Sequence, residues 1–212
     1  MIMKIFLKRK KRFHKNNQGF TLVELLVVFF IMASILAVII PGYLDYSTKL
    51  DLDNLALDVA LTIREAQSYG AGVKVSNAGD FDTPFGVHFD INNPNQFIFF
   101  ENTDNSDSVY KPPDGLPDDT IIDRYDIKAG YAISDLCGSK GGGSPDCNSG
   151  GVQYLDIIFK RPNPDAIITI RNNGGGMFGG NQDSGGIKLV SPDTTFKNIN
   201  VVSPSSISVS NM

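Results

Sequence analysis

Histidine, cysteine and exported positive charge are all scarce in this 212-residue chain, and each shortage closes off a class of function. The two histidines are His14, inside a basic N-terminal stretch, and His88; the two cysteines are Cys137 and Cys147. A structural zinc site needs about four converging Cys or His ligands, and these residues are too far apart in sequence to suggest one. A nucleophile activated by histidine would have to rely on His88, and no serine in the sequence is singled out as its partner. Acidic pairs such as Asp118-Asp119 stand in a Pro-rich, turn-like segment and read as surface. No enzymatic activity is expected.

Positive charge is unevenly spread. Of 19 Lys and Arg, seven (Lys4, Lys8, Arg9, Lys10, Lys11, Arg12 and Lys15) precede Gly19, in a stretch without any acid. The other 12 face all 23 Asp and Glu, so the chain beyond Gly19 carries a net charge of −11. Such an acidic exterior argues against nucleic acid as a partner, and Arg171, Lys188 and Lys197 are too dispersed to form a basic patch. A DNA-binding role is kept only as an alternative.

Charge is also missing from Phe20 to Ile40, where Glu24 is the one ionisable residue in 21 positions. As a helix this run is about 31 Å long, the thickness of the hydrocarbon layer. It is too long for the apolar core of a secretory signal peptide, and Pro41-Gly42-Tyr43 comes after it rather than a small-residue cleavage site. The basic stretch before it places the N-terminus in the cytoplasm by the positive-inside rule and exports the chain beyond the span. A single-pass protein of the inner, cytoplasmic membrane is expected, with a periplasmic or extracellular domain.

A carboxylate in the first turns of such a span costs a few kcal/mol unless it is compensated. Cleavage between Gly19 and Phe20 would create an α-amino group within one helical turn of Glu24, on the same or a neighbouring chain. An uncleaved anchor, as in a membrane-tethered adhesin, explains the length and flanking charge but neither Glu24 nor Gly19.

Gly19-Phe20-Thr21-Leu22-Val23-Glu24 after a short basic leader resembles the signal of prepilins, the precursors of type IV pilins and type II secretion pseudopilins. The resemblance implies a prepilin peptidase that cuts after Gly19 and N-methylates Phe20, and a role for Glu24 in docking the subunit into a filament. It also implies other pilin or pseudopilin subunits and an ATP-driven inner-membrane assembly platform as partners.

Pro41 and Gly42 predict a kink or melted turn where the chain leaves the membrane. Beyond them, Tyr43 to about Tyr69 reads as an amphipathic helix ended by Gly70 and Gly72. Its apolar residues fall into two stripes at helical spacing. Leu44, Leu52, Leu55, Ala56, Val59, Ile63 and Ala66 should face a sheet, whereas Tyr43, Leu50, Leu57 and Leu61 lie opposite and are read as an assembly surface for neighbouring helices. Cover by the chain's own loops, or plain exposure, is the alternative.

From about residue 71 the pattern changes to short strands. They are expected at Val73–Ser76, Phe85–Phe89, Gln96–Glu101, Tyr131–Ser134, Tyr154–Lys160, Ala166–Arg171, Ile187–Val190, Asn198–Val202 and Ser206–Ser210. Asn92 to Asn95 and Arg161 to Asp165 read as hairpin turns, and the strands centred on Ile157 and Ile168 as the middle of a sheet. The parts are thus a leader at 1–19, a membrane and assembly helix at 20–42, an amphipathic helix at 43–70 and an exported β-rich domain at 71–212. The fold class is α+β, a long N-terminal helix packed on antiparallel sheet.

This order is similar to GspH/FimT-type minor pseudopilins and minor pilins, as are Thr62 to Gln67, Pro84-Phe85-Gly86-Val87 and the final hairpin. A disulfide between Cys137 and Cys147 would close a loop of about 11 residues, worth about 3 kcal/mol in the chain-entropy account; two free thiols are the alternative. The loop Glu101 to Ser108 offers oxygen ligands suited to calcium but lacks the glycine and distal glutamate of an EF-hand. A solvated hairpin tip is expected there and no cofactor, calcium being the alternative. Gly174, Gly176 and Gly179 spell Gly-x-Gly-x-x-Gly, but the residues after them are poor helix formers, so a chance match in an adaptable or disordered loop is expected.

Overall fold

The computed structural model describes residues 19–72, 79, 81–103, 107–112, 119–163, 165–204 and 206–211. The basic leader, the strand expected at Val73–Ser76 and the tip of the acidic loop at 104–106 lie outside these residues. So does Asp118, and the side chains of Pro41, Gly42, Leu44 and Asp45 are likewise not described. The chain divides into two compact units, Met1–Leu44 and Asp45–Met212.

The long helix, α1, runs Leu22–Ala71. Thr21 starts it: its hydroxyl oxygen accepts the backbone N–H of Glu24 at 3.2 Å, which satisfies one of the donors that a helix leaves open at its first turn. The backbone is helical at Pro41 and Gly42, so the melted turn is not found, and a kink there remains a proposal. In the first unit, Leu22–Ile40 is long and apolar enough to cross a membrane, and none of it is buried.

Within the second unit, Leu52, Ala56, Val59, Ile63 and Ala66 are buried. Their alternating four- and three-residue spacing keeps them on one stripe. Gly70 continues the stripe where the helix meets the sheet: a Cβ there would meet the carbonyl oxygen of Phe159 first, and its carbonyl carbon and Cβ at 2.8 Å. Only a residue without a side chain allows so close an approach.

Among the described residues, ten strands come after the helix, all paired antiparallel. They are β1 (Phe85–Asp90), β2 (Gln96–Glu101), β3 (Thr120–Asp126), β4 (Ala132–Ser139), β5 (Asp146–Cys147), β6 (Tyr154–Phe159), β7 (Ala166–Arg171), β8 (Ser184–Val190), β9 (Phe196–Val202) and β10 (Ser206–Asn211). They form two five-stranded sheets, ordered β3-β2-β1-β6-β7 and β10-β9-β8-β4-β5. Both inner faces close on α1 in one core. Phe85, Val87, Phe99, Ile157, Phe159 and Ile168 come from the first sheet, and Leu136, Ile187, Leu189, Ile199 and Val201 from the second.

The middle strand of the first sheet is β1, and β7 lies at its edge, contrary to the expectation for Ile168. The outer edge of β7 is covered by the segment after it, through bridges Ile168–Gln182 and Arg171–Met177. An edge strand shielded in this way carries the apolar run of a central one.

Two strands have no counterpart among the sequence-based expectations. β3 is an edge strand whose Asp123, Arg124 and Asp126 dilute its apolar signal, and β5 is only two residues long. The Gly-rich loop is tied together by its own side-chain hydrogen bonds. The Asn172 side-chain oxygen accepts from the N–H groups of Gly174 and Gly176 at 3.0 and 2.8 Å, and the Gln182 amide donates to the carbonyls of Phe178 and Gly180. A strand succeeds it instead of a helix.

Candidate functional site

Gly19 and Phe20 precede α1 and are exposed, with open space around the Gly19 Cα where a side chain would sit. The peptide bond between them is therefore outside the helical hydrogen-bond ladder. Glu24 sits at the third helical position, three residues after the capping Thr21. An anion in the first turn is favoured by the partial positive charge of the unpaired N–H groups, by about 0.3–1 kcal/mol. Sequence reasoning treats Glu24 only as a cost to be met by a new amine and misses this cap, although Thr21-x-x-Glu24 is its signature.

On the part of α1 in the second unit, Leu50, Leu57 and Leu61 are exposed, the last two by 53% and 60%. The sheets cover the opposite stripe and leave this one open. Tethers hold the helix from its flanks. The Lys128 ammonium donates to the Asp51 carboxylate at 2.6 Å and Lys197 pairs with Asp53 at 2.6 Å. The Tyr131 hydroxyl donates to the Thr48 carbonyl at 3.2 Å. The hydrogen bond from Lys128 holds the Asp51 carboxyl below its usual range, and the same contact raises the Lys128 ammonium.

The acidic segments are more built than their composition suggests. Asp119, read as surface, is buried: its carboxylate accepts the N–H groups of Thr103 at 3.0 Å and Lys111 at 2.7 Å. In the loop considered for calcium, the Asn102 side chain donates to the carbonyl of Asp107 at 3.1 Å, and Asp107 pairs with Lys111 at 2.9 Å. Cys137 and Cys147 face each other across β4 and β5 and form a disulfide, with Cα atoms 4.0 Å apart. Asp135 lies beside them, but sulfur atoms bonded to each other are not thiolate ligands.

The second unit also holds a polar network that sequence reasoning missed. His88, Asp156 and Arg171 come from β1, β6 and β7, on the face of the first sheet turned away from α1. Asp156 is fully buried and spans the other two: one carboxylate oxygen faces His88 Nδ1 at 2.6 Å, and the other accepts from Arg171 Nη2 at 2.8 Å and Nε at 3.1 Å. His88 lies between the Tyr110 and Tyr154 rings, with centroids at 4.5 and 5.8 Å, and the Arg171 guanidinium sits over Tyr154 at 5.2 Å. The signal was available in the alternation of β1, where Gly86, His88 and Asp90 point opposite to Phe85, Val87 and Phe89.

Residues 14–40 match the family of the prokaryotic N-terminal methylation motif. This supports a type IV pilin-like protein. The matched stretch ends within α1 and includes Gly19, Phe20, Glu24 and the apolar span. Processing by a prepilin peptidase, assembly with other pilins and attachment to a membrane are implied by the motif. No curated protein and no solved structure matches this chain, so the second unit is described by its own geometry.

Proposed function

We propose that this chain is a structural subunit of a type IV pilus-like filament, and more specifically a GspH/FimT-type minor pseudopilin of a type II secretion system. One observation carries the reading. The methylation-motif match coincides with an exposed Gly19–Phe20 bond, a Glu24 in the first helical turn behind it, and an apolar helix with no cover from its own chain.

In this reading the leader holds the N-terminus in the cytoplasm, and the helix keeps the precursor in the inner membrane. Peptidase cleavage releases Phe20, whose amine is methylated. Glu24 of one subunit then meets the Phe20 amine of a neighbour, which pairs the buried carboxylate while apolar side chains pack around it. Leu50, Leu57 and Leu61 extend the helix–helix contact into the exported part. An inner-membrane assembly platform supplies the energy. The role is structural, as it is for pilins in general.

The test is the intact mass of the protein extracted from its host envelope. The expected mass corresponds to a chain starting at Phe20 with one added methyl group. A chain that still starts at Met1 would leave a membrane-tethered ectodomain and refute the proposal. Neighbouring genes for a secretin and secretion-specific components would support the pseudopilus, whereas retraction ATPases would point to a pilus.

A further inference from the structure

The face of the first sheet turned away from α1 carries a cavity of about 420 Å³ that helix-driven assembly does not use. Strand register lays a row of residues across its floor: Arg124 pairs with Ile98, Ile98 with His88, and His88 with Asp156. Asn93, Gln96 and Asn173 contribute amide side chains around it. The volume falls within the range of small-molecule sites, about 300–1,000 Å³.

Three features define the ligand. The Arg124 guanidinium lines the cavity and has no partner among the described residues. His88 is 94% buried by residue, and its Nδ1 is committed to Asp156 while Nε2, also without a partner among the described residues, remains for a ligand. The cavity's acids are already engaged. Asp156 is held by His88 and Arg171, and Asp90 accepts from Asn92 and Asn93. An incoming anion therefore meets an open cation, with Asp156 ion-paired to Arg171 and the Asp90 oxygens held by amide groups, and an incoming hydroxyl meets an open imidazole nitrogen that can accept it. Tyr110 and Tyr154 add aromatic surface for a ring, and the amides offer donors and acceptors together, as hydroxyl groups require.

We propose that this cavity binds an acidic sugar, a uronate unit of a polysaccharide. Its carboxylate pairs with Arg124, and its hydroxyls meet His88 Nε2, which accepts, and the amides of Asn93, Gln96 and Asn173. The exported domain is then a glycan-binding module as well as a building block, and this holds whether or not the chain enters a filament.

The test is calorimetry on the full chain in detergent, with digalacturonate as the probe and with neutral digalactose and acetate as controls. Binding with a dissociation constant on the order of millimolar or tighter is expected, weakened at least about tenfold for digalactose, for acetate and for Arg124→Gln. Arg124 is exposed on an edge strand, so the variant should melt with the wild type, which a thermal scan checks. No binding at concentrations on the order of 10 mM overturns the proposal. Equal binding of digalactose removes the acidic requirement, equal binding of acetate removes the sugar, and an unchanged Arg124→Gln removes the site; each also overturns it.

Discussion

Replacing Leu57 and Leu61 together by glutamine separates what holds this domain together from what its helix offers to other chains. About half of each leucine's surface is open, 53% and 60%. Full burial of a leucine contributes about 1.5–3 kcal/mol, so covering the open halves against a neighbour is worth about 1 kcal/mol each. Two such residues give about 2 kcal/mol, or about thirtyfold in the equilibrium for subunit incorporation. Glutamine keeps the stem of the side chain over the surface it already covers, so folding should change by less than about 1 kcal/mol. Ile63→Ala on the buried stripe should instead cost about 2–5 kcal/mol of stability. The assays are a circular-dichroism melt of each variant in detergent and the ratio of subunit in sheared filaments to subunit left in the membrane. Unchanged incorporation of the double variant would refute the assembly surface. A melting loss equal to that of Ile63→Ala would refute the claim that the stripe is open.

Gly70→Ala gains about 1 kcal/mol in helix propensity but drives a methyl group into the backbone of Phe159, so net destabilisation of about 1–2 kcal/mol is expected; a higher melting temperature would contradict the contact. Removing the disulfide with Cys137→Ser and Cys147→Ser should cost about 3 kcal/mol, about 6–12 °C in the melt. Asp156→Ala leaves His88 and Arg171 facing a vacated buried site and should cost about 3–5 kcal/mol by chemical denaturation. The Asp51–Lys128 pair should show as a small melting difference between wild type and Asp51→Asn. Because the Asp51 carboxyl lies below its usual range in the folded chain, the contribution is present above about pH 4 and fades as pH falls further, and the two melting curves should converge there.

Most of the architecture was legible where one periodicity ruled. The stripe Leu52, Ala56, Val59, Ile63 and Ala66 could be assigned to the core because seven-residue spacing leaves little freedom, and Gln96–Glu101 and Ala166–Arg171 stand out as apolar runs between turns. β3 was hidden because an edge strand needs charge to avoid pairing with other chains, and Asp123 and Arg124 make it look like loop. The placement of β7 failed for the converse reason: burial by a covering loop leaves the same mark on a sequence as burial between strands. Of the N-terminal segment, the motif at residues 14–40 was readable because its residues run straight into an apolar span. The cavity was not: the alternation of β1 puts His88 on the outer face, but its meeting with Asp156 and Arg124 depends on strand register, which no local pattern encodes.

The shared core has a mechanical side. Both sheets grip the same stripe of α1, and Asp51 and Asp53 pin its flanks to Lys128 and Lys197. A pull along the rod is then borne by two clamps at once, and the helix cannot slide free without shearing both. The second unit is then expected to give way as a whole rather than release its part of the helix by sliding.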